Sequence, residues 1–184
     1  MTKNLPSFRV FEILLFILLL GIIGYQHYDN TTRTAMRERD VVRISDLNQI
    51  RTALEEYKDE QGTFPPCLYK KDGCISLEGS DWMPVVPRDP LTDKQFGYAA
   101  IGSGAVCTGF HVGTSLERTA SQALLVGADA PPQPDSALCK GSASDFAGLS
   151  YAKGGEPCDL SVGTAQPTDA ADGETCFDLK NRVK

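Results

Sequence analysis

The chain has 184 residues, a formal net charge of −6 and six cysteines. An acidic balance with no local run of Lys or Arg excludes a nucleic-acid-binding surface. An even set of cysteines scattered among Gly, Pro and Ser points to disulfides made in an oxidising compartment rather than to a thiol site.

Residues 1–7 form a short polar leader carrying Lys3. From Phe8 to Gln61 there is no proline, and Pro6 and Pro65 punctuate the two ends, so this stretch is expected to be one unbroken helix. At 1.5 Å per residue it would reach roughly 80 Å, far beyond the usual globular helix. Its first part, Val10 to Tyr25, is apolar all round apart from Glu12, as expected of a transmembrane segment over 8–28. That apolar run covers only about 24 Å, so a bilayer core of about 30 Å must thin locally or the segment must associate with others. No small-residue cleavage site follows Tyr25, so the anchor is expected to be retained. Lys3 and Arg9 precede the run while Arg33, Arg37, Arg39 and Arg43 follow it, so basic residues do not orient it, and the cysteines place the C-terminal part outside the cytosol.

The second part, 29–62, changes character. Val41, Ile44, Leu47, Ile50, Leu54 and Tyr57 recur at three- and four-residue steps, while Arg43, Asp46, Gln49, Arg51, Glu55, Glu56 and Lys58 fill the rest. That is an amphipathic helix with one face packed on a core. Asn30-Thr31-Thr32 is a glycosylation sequon by pattern, discounted because it lies beside the membrane in a helix.

Gly62 is a helix stop and Pro65-Pro66 prevent its resumption. Residues 63–184, about 120, suffice for one extracytoplasmic head with a modest core. Cys67 and Cys74 close a small loop, and Trp82, Met83, Val85 and Val86 among prolines read as an irregular cover on the helix. Gly97 to Ile101, then Gly102-Ser103-Gly104, then Val106 to Leu116 predict a strand, a turn and a longer strand, with Ala123 to Val126 as a third. Phe110 and Val112 alternate with polar or small neighbours, so one face of this antiparallel sheet should lie on the helix and the other should face water. From Ala130 onward the chain is rich in Gly, Pro, Ser, Ala and Asp and reads as loop held by Cys139, Cys158 and Cys176. Nearest-neighbour order favours the pairs Cys67–Cys74, Cys107–Cys139 and Cys158–Cys176, among fifteen connectivities that six cysteines allow. The fold class expected is α+β: a long N-terminal helix packed on a small antiparallel sheet with disulfide-stapled loops.

A short basic leader, then Phe8-Arg9-Val10-Phe11-Glu12 opening a long apolar helix, resembles the N-terminus of type IV pilins and type II secretion pseudopilins. Ile50 to Tyr57 followed by Gly62-Thr63-Phe64-Pro65, and Pro87-Arg88-Asp89-Pro90 with Tyr98 after it, extend the resemblance in order to about residue 117. It implies a pilin-like fold and cleavage by a prepilin peptidase between Ser7 and Phe8. It further implies N-methylation of Phe8 and an assembly role for Glu12, pairing with the new amino terminus of a neighbouring subunit. The implied partners are other pilin subunits, the peptidase, an inner-membrane assembly platform and membrane lipid. The implied product is a filament at the cell surface or in the periplasm. Ser7 stands where the family has Gly, and Arg9 where a small or apolar residue is commoner. The alternative is a single-pass envelope protein that never polymerises and whose head is a binding module, with Glu12 merely paired to Arg9 at i−3.

Little in the chain suggests catalysis. His27 and His111 sit in no motif, and Gly102-Ser103-Gly104 lacks the spacing of a nucleophile elbow. The cysteines are not spaced as zinc ligands. Asp169, Asp172 and Asp178 around Gly173 do not follow a calcium-loop pattern and read as solvated acids. No catalytic residue, cofactor or metal is expected.

Overall fold

The computed structural model describes residues 6–118, 122–128, 133–145 and 176–181, apart from the side chains of residues 6–8 and Leu125. The chain divides into two units, residues 1–38 and 39–184. Its helix, α1, spans Pro6–Gln61. It starts two residues before the expected Phe8, with proline in the first turn, where the missing N–H has no intrahelical partner to lose. It ends where Gly62 takes φ 76° and donates its N–H to the Lys58 carbonyl at 2.7 Å. Only glycine adopts that conformation without strain.

In the first unit, the described residues belong to α1. The large apolar side chains from Val10 to Ile23, with Tyr25 and Tyr28, are exposed. Among the described residues α1 is the one helix long and apolar enough to cross a membrane, and none of its apolar window is buried by the protein itself.

In the second unit, α1 presents a buried stripe at alternating three- and four-residue steps: Asp40, Arg43, Leu47, Ile50, Leu54 and Tyr57. Two expectations fail here. Val41 is 59% exposed, and Arg43, taken as part of the solvated face, is fully buried. Ile44 is partly buried at the margin.

The sheet has three antiparallel strands in the order β1 (Gly97–Ser103), β2 (Val106–Ser115) and β3 (Cys176–Lys180). β1 and β2 form a hairpin closed by Gly104 at φ 61° and Ala105, with glycine in the first central position as a type II′ turn requires. A bulge falls at Ile101/Gly102, where a Cβ on Gly102 would lie 2.2 Å from the Val106 carbonyl oxygen. The third strand is not the expected 123–126, which is a 3-10 helix over Gln122–Val126. Instead it comes from the tail that was read as loop: Phe177 and Leu179 pair with Thr114 and Val112 and point into the core. The side chain of Leu125, within that expected strand, lies outside the described residues.

The core joins Leu47, Ile50, Leu54 and Tyr57 of α1 to Tyr98, Phe110 and Val112 of the sheet, as the periodicity required. The loop after the helix adds to this core, burying Phe64, Leu68, Tyr69 and Leu77. Phe64 meets Phe110 edge-on at 4.9 Å, and Trp82 meets Tyr57 at 4.8 Å. Two buried tyrosine hydroxyls are satisfied by the same loop. Tyr98 donates to the Pro65 carbonyl at 2.7 Å, and Tyr69 donates to Pro87 while accepting the Phe96 N–H.

Nor does the second face of the sheet meet water. Gly109, His111, Gly113 and Ser115 on β2 are all buried. A strap, residues 133–145, runs along the β1 edge: Leu138 bridges Ile101, Cys139 donates its N–H to Ala100, and the Ser142 hydroxyl accepts the Ala100 N–H at 2.8 Å. Its far end brings Asp145 to His111. Cys67 is bonded to Cys74, and Cys107 to Cys139, which fixes the strap to the hairpin. Cys176 is disulfide-bonded, but the expected pair with Cys158 falls on a residue outside those described.

Candidate functional site

The residues singled out at the N-terminus lie within α1. Ser7 and Phe8 are helical, with side chains outside the description. Glu12 and Arg9 are both exposed, and among the described residues no ion pair joins them. Glu12 is thus a lone acid on an apolar helical surface, a costly group to place in hydrocarbon without a counter-charge.

In the second unit the chemistry is concentrated in two buried clusters. The first centres on Arg43. Its guanidinium donates to both oxygens of Asp89 (2.5 and 3.3 Å), to Asp40 at 2.9 Å and to Glu117 at 2.7 Å. Arg39 adds a two-pronged contact to Glu117 at 2.7 and 2.6 Å. The carboxylates do further work: Asp40 accepts the backbone N–H of Glu117 and Arg118, and Asp89 accepts those of Leu91 and Thr92 together with the Thr92 hydroxyl. One cation therefore ties α1 to the turn at Pro90 and to the exit of β2. Burial alone would lower the Arg43 pKa, but its hydrogen bonds to Asp89, Glu117 and Asp40 outweigh it and the net shift is upward. Glu117 is held below its ordinary value by the hydrogen bond from Arg39 and then by Arg43. Burial pushes Asp89 up, but Arg43 and the turn amides bring it down overall.

The second cluster centres on His111, at 0% exposure on β2. Nδ1 lies 2.8 Å from Asp145 and Nε2 lies 2.7 Å from Asp178. The other oxygen of each carboxylate accepts a backbone N–H, from Gln133 and from Ala128 respectively. The strand register makes room for this. Asp178 stands opposite Gly113, which offers no side chain, and His111 stands opposite the small Ala99. Asp178 is therefore a buried partner on a strand, not a solvated loop acid; Asp169 and Asp172 lie outside the described residues. Burial pulls the His111 pKa down, but the hydrogen bonds to Asp145 and Asp178 outweigh it and the net shift is upward.

Among the described residues, neither cluster is completed into a catalytic arrangement. Their polar atoms are committed to one another, and no described serine or cysteine stands as a nucleophile beside His111. Among the described residues no group of His, Cys, Asp and Glu is arranged to hold a metal. A shallow groove beside α1, with a volume of about 480 Å³, is lined by Asn48, Gln49, Glu56, Trp82 and Met83. Asn48 is already bonded to Ile44 and Arg51, and Gln49 to Ser45.

Both clusters left traces in the sequence. Asp40 and Arg43 continue the step pattern of Leu47, Ile50, Leu54 and Tyr57, and His111 occupies the strand face opposite Phe110 and Val112. The signal was masked because charged residues at stripe positions are ordinarily solvated. Comparison with protein-family models, with curated proteins and with solved structures finds no match to the chain.

Proposed function

We propose that the chain is a structural subunit of a filament of the type IV pilus or type II secretion kind, held in the membrane before assembly. The observation that carries this reading is the exposed apolar surface from Val10 to Tyr25 on the same helix whose later residues Leu47 to Tyr57 build the core of the second unit. A membrane can cover that surface in the stored subunit, and neighbouring helices can cover it in a filament. Glu12 gives the interaction its register. Cleavage before Phe8 would expose an amino group whose positive charge is expensive in a bilayer, and a neighbour's Glu12 is equally expensive alone. Close contact neutralises both. The chain is then an assembly component rather than an enzyme, its partners being like subunits, a prepilin peptidase, the assembly platform and lipid.

The test is electron microscopy of sheared surface material together with the intact mass of the membrane form, for wild type and Glu12→Ala. The expected wild-type mass begins at a methylated Phe8, and Glu12→Ala should leave the head folded and membrane-bound while reducing filaments at least tenfold. Filaments that persist unchanged in Glu12→Ala, or a wild-type chain that retains its leader and forms none, would defeat the reading. Ser7 in place of Gly favours a second one, a single-pass envelope protein that does not polymerise. On that reading Glu12→Ala changes no oligomeric state.

A further inference from the structure

We infer that Asp145, His111 and Asp178 form a proton-dependent latch: the imidazolium holds the strap over the second face of the sheet and β3 against β2, and loss of its proton leaves only one of the two held. The inference stands apart from the filament reading and rests on the geometry of the head. Each ring nitrogen faces a carboxylate oxygen, at 2.8 and 2.7 Å. A neutral imidazole has one N–H and one lone pair, so it can satisfy only one of these contacts. The second would set a nitrogen lone pair against a carboxylate. Neither acid can easily turn away, because Gln133 and Ala128 hold the opposite oxygens through their N–H groups.

Among the described residues, the charged groups that face the ring come from the strap and from β3. Asp145 arrives from the strap and Asp178 from β3, while Lys180 of β3, partly buried, stands in register with His111 and opposes its protonation. β1 contributes only Ala99 opposite the ring. Deprotonation would set one of these two buried carboxylates against a ring lone pair in place of an N–H. The strap is covalently fixed at Cys139 and β3 begins at the disulfide-bonded Cys176, so opening concerns the Asp145 end of the strap or the part of β3 beyond Cys176 that carries Asp178.

The experiment uses the full chain in detergent micelles with ¹⁵N-labelled histidine, His111 being assigned through a His27→Gln variant. In wild type both ring nitrogens should carry protons at pH 7. Amide protection factors at Gln133, or at Ala128 and β3, corrected for the intrinsic exchange rate, should fall by up to about tenfold per pH unit between about 6.5, the ordinary histidine value, and the raised pKa of the latched ring, and level off above it, as linkage to one proton requires. In Asp178→Asn the new amide can donate to a neutral ring while its oxygen still accepts from Ala128, so that slope should vanish. A neutral His111 ring at pH 7, flat wild-type protection factors, or an Asp178→Asn slope equal to that of wild type would each overturn the latch. If Asp178→Asn does not fold, the protonation state of the wild-type ring decides.

Discussion

Arg43 is fully buried yet leaves few of its donors to chance, since Asp89, Asp40 and Glu117 divide the guanidinium among them. A desolvated cation is tolerated only when its partners are close and themselves satisfied, and here Asp89 and Asp40 also hold backbone amides while Glu117 also holds Arg39. The cluster's value therefore depends on completeness. Replacing Arg43 by Met fills the volume but leaves Asp40 and Asp89 without their cation and Glu117 with Arg39 alone, and should destabilise the second unit by about 3–5 kcal/mol. Arg39→Gln, whose side chain keeps 28% exposure and has one acidic partner, should lose about 1 kcal/mol or less. Trp82 is the sole tryptophan and packs on Tyr57, so its fluorescence in a urea titration follows this unit. An Arg43→Met variant within 1 kcal/mol of wild type would mean that the cluster is decorative.

The elements differ in how far local chemistry determined them. α1 and the hairpin were readable because their signals are short-range: no interior proline, a glycine stop, and a glycine turn between alternating strands. β3 was not, because five residues with two core side chains look like loop until β2 supplies the pairing. The same long-range event buried His111 and Asp178 and covered a face that alternation alone would have left wet. Disulfides compensate for what such loops lack, mainly by restricting the unfolded chain, so their worth should grow with the loop closed. The Cys67–Cys74 bridge spans 7 residues and Cys107–Cys139 spans 32. Paired Ala replacements should therefore lose about 2–3 kcal/mol at the first bridge and about 3–4 kcal/mol at the second. Chemical denaturation of the two double variants checks this, and a larger loss at the shorter bridge would contradict the entropic account.

At the scale of the whole molecule, the two clusters titrate in opposite directions and so bound a working range. Glu117 and Asp89 have folded pKa values depressed below their ordinary ones, about 4.3 and 3.9, so their contribution is complete above that range. It drains away as pH falls through the depressed values, because the unfolded chain binds protons first. His111 is raised above the ordinary histidine value of about 6.5, so the folded state holds its proton more tightly. That contribution is complete below about 6.5 and is lost as pH rises through the folded pKa. Stability should therefore peak between about pH 4.5 and 6.5 and decline on both sides. The two limbs should respond to different substitutions, since the clusters share no residue: Asp178→Asn should flatten the alkaline limb, and Glu117→Gln the acid one. Urea midpoints from Trp82 fluorescence, measured from pH 3 to pH 9, separate these cases. A midpoint that climbs steadily from pH 6 to pH 9 in the wild type would show that burial of a neutral His111, rather than its two hydrogen-bonded carboxylates, governs the head.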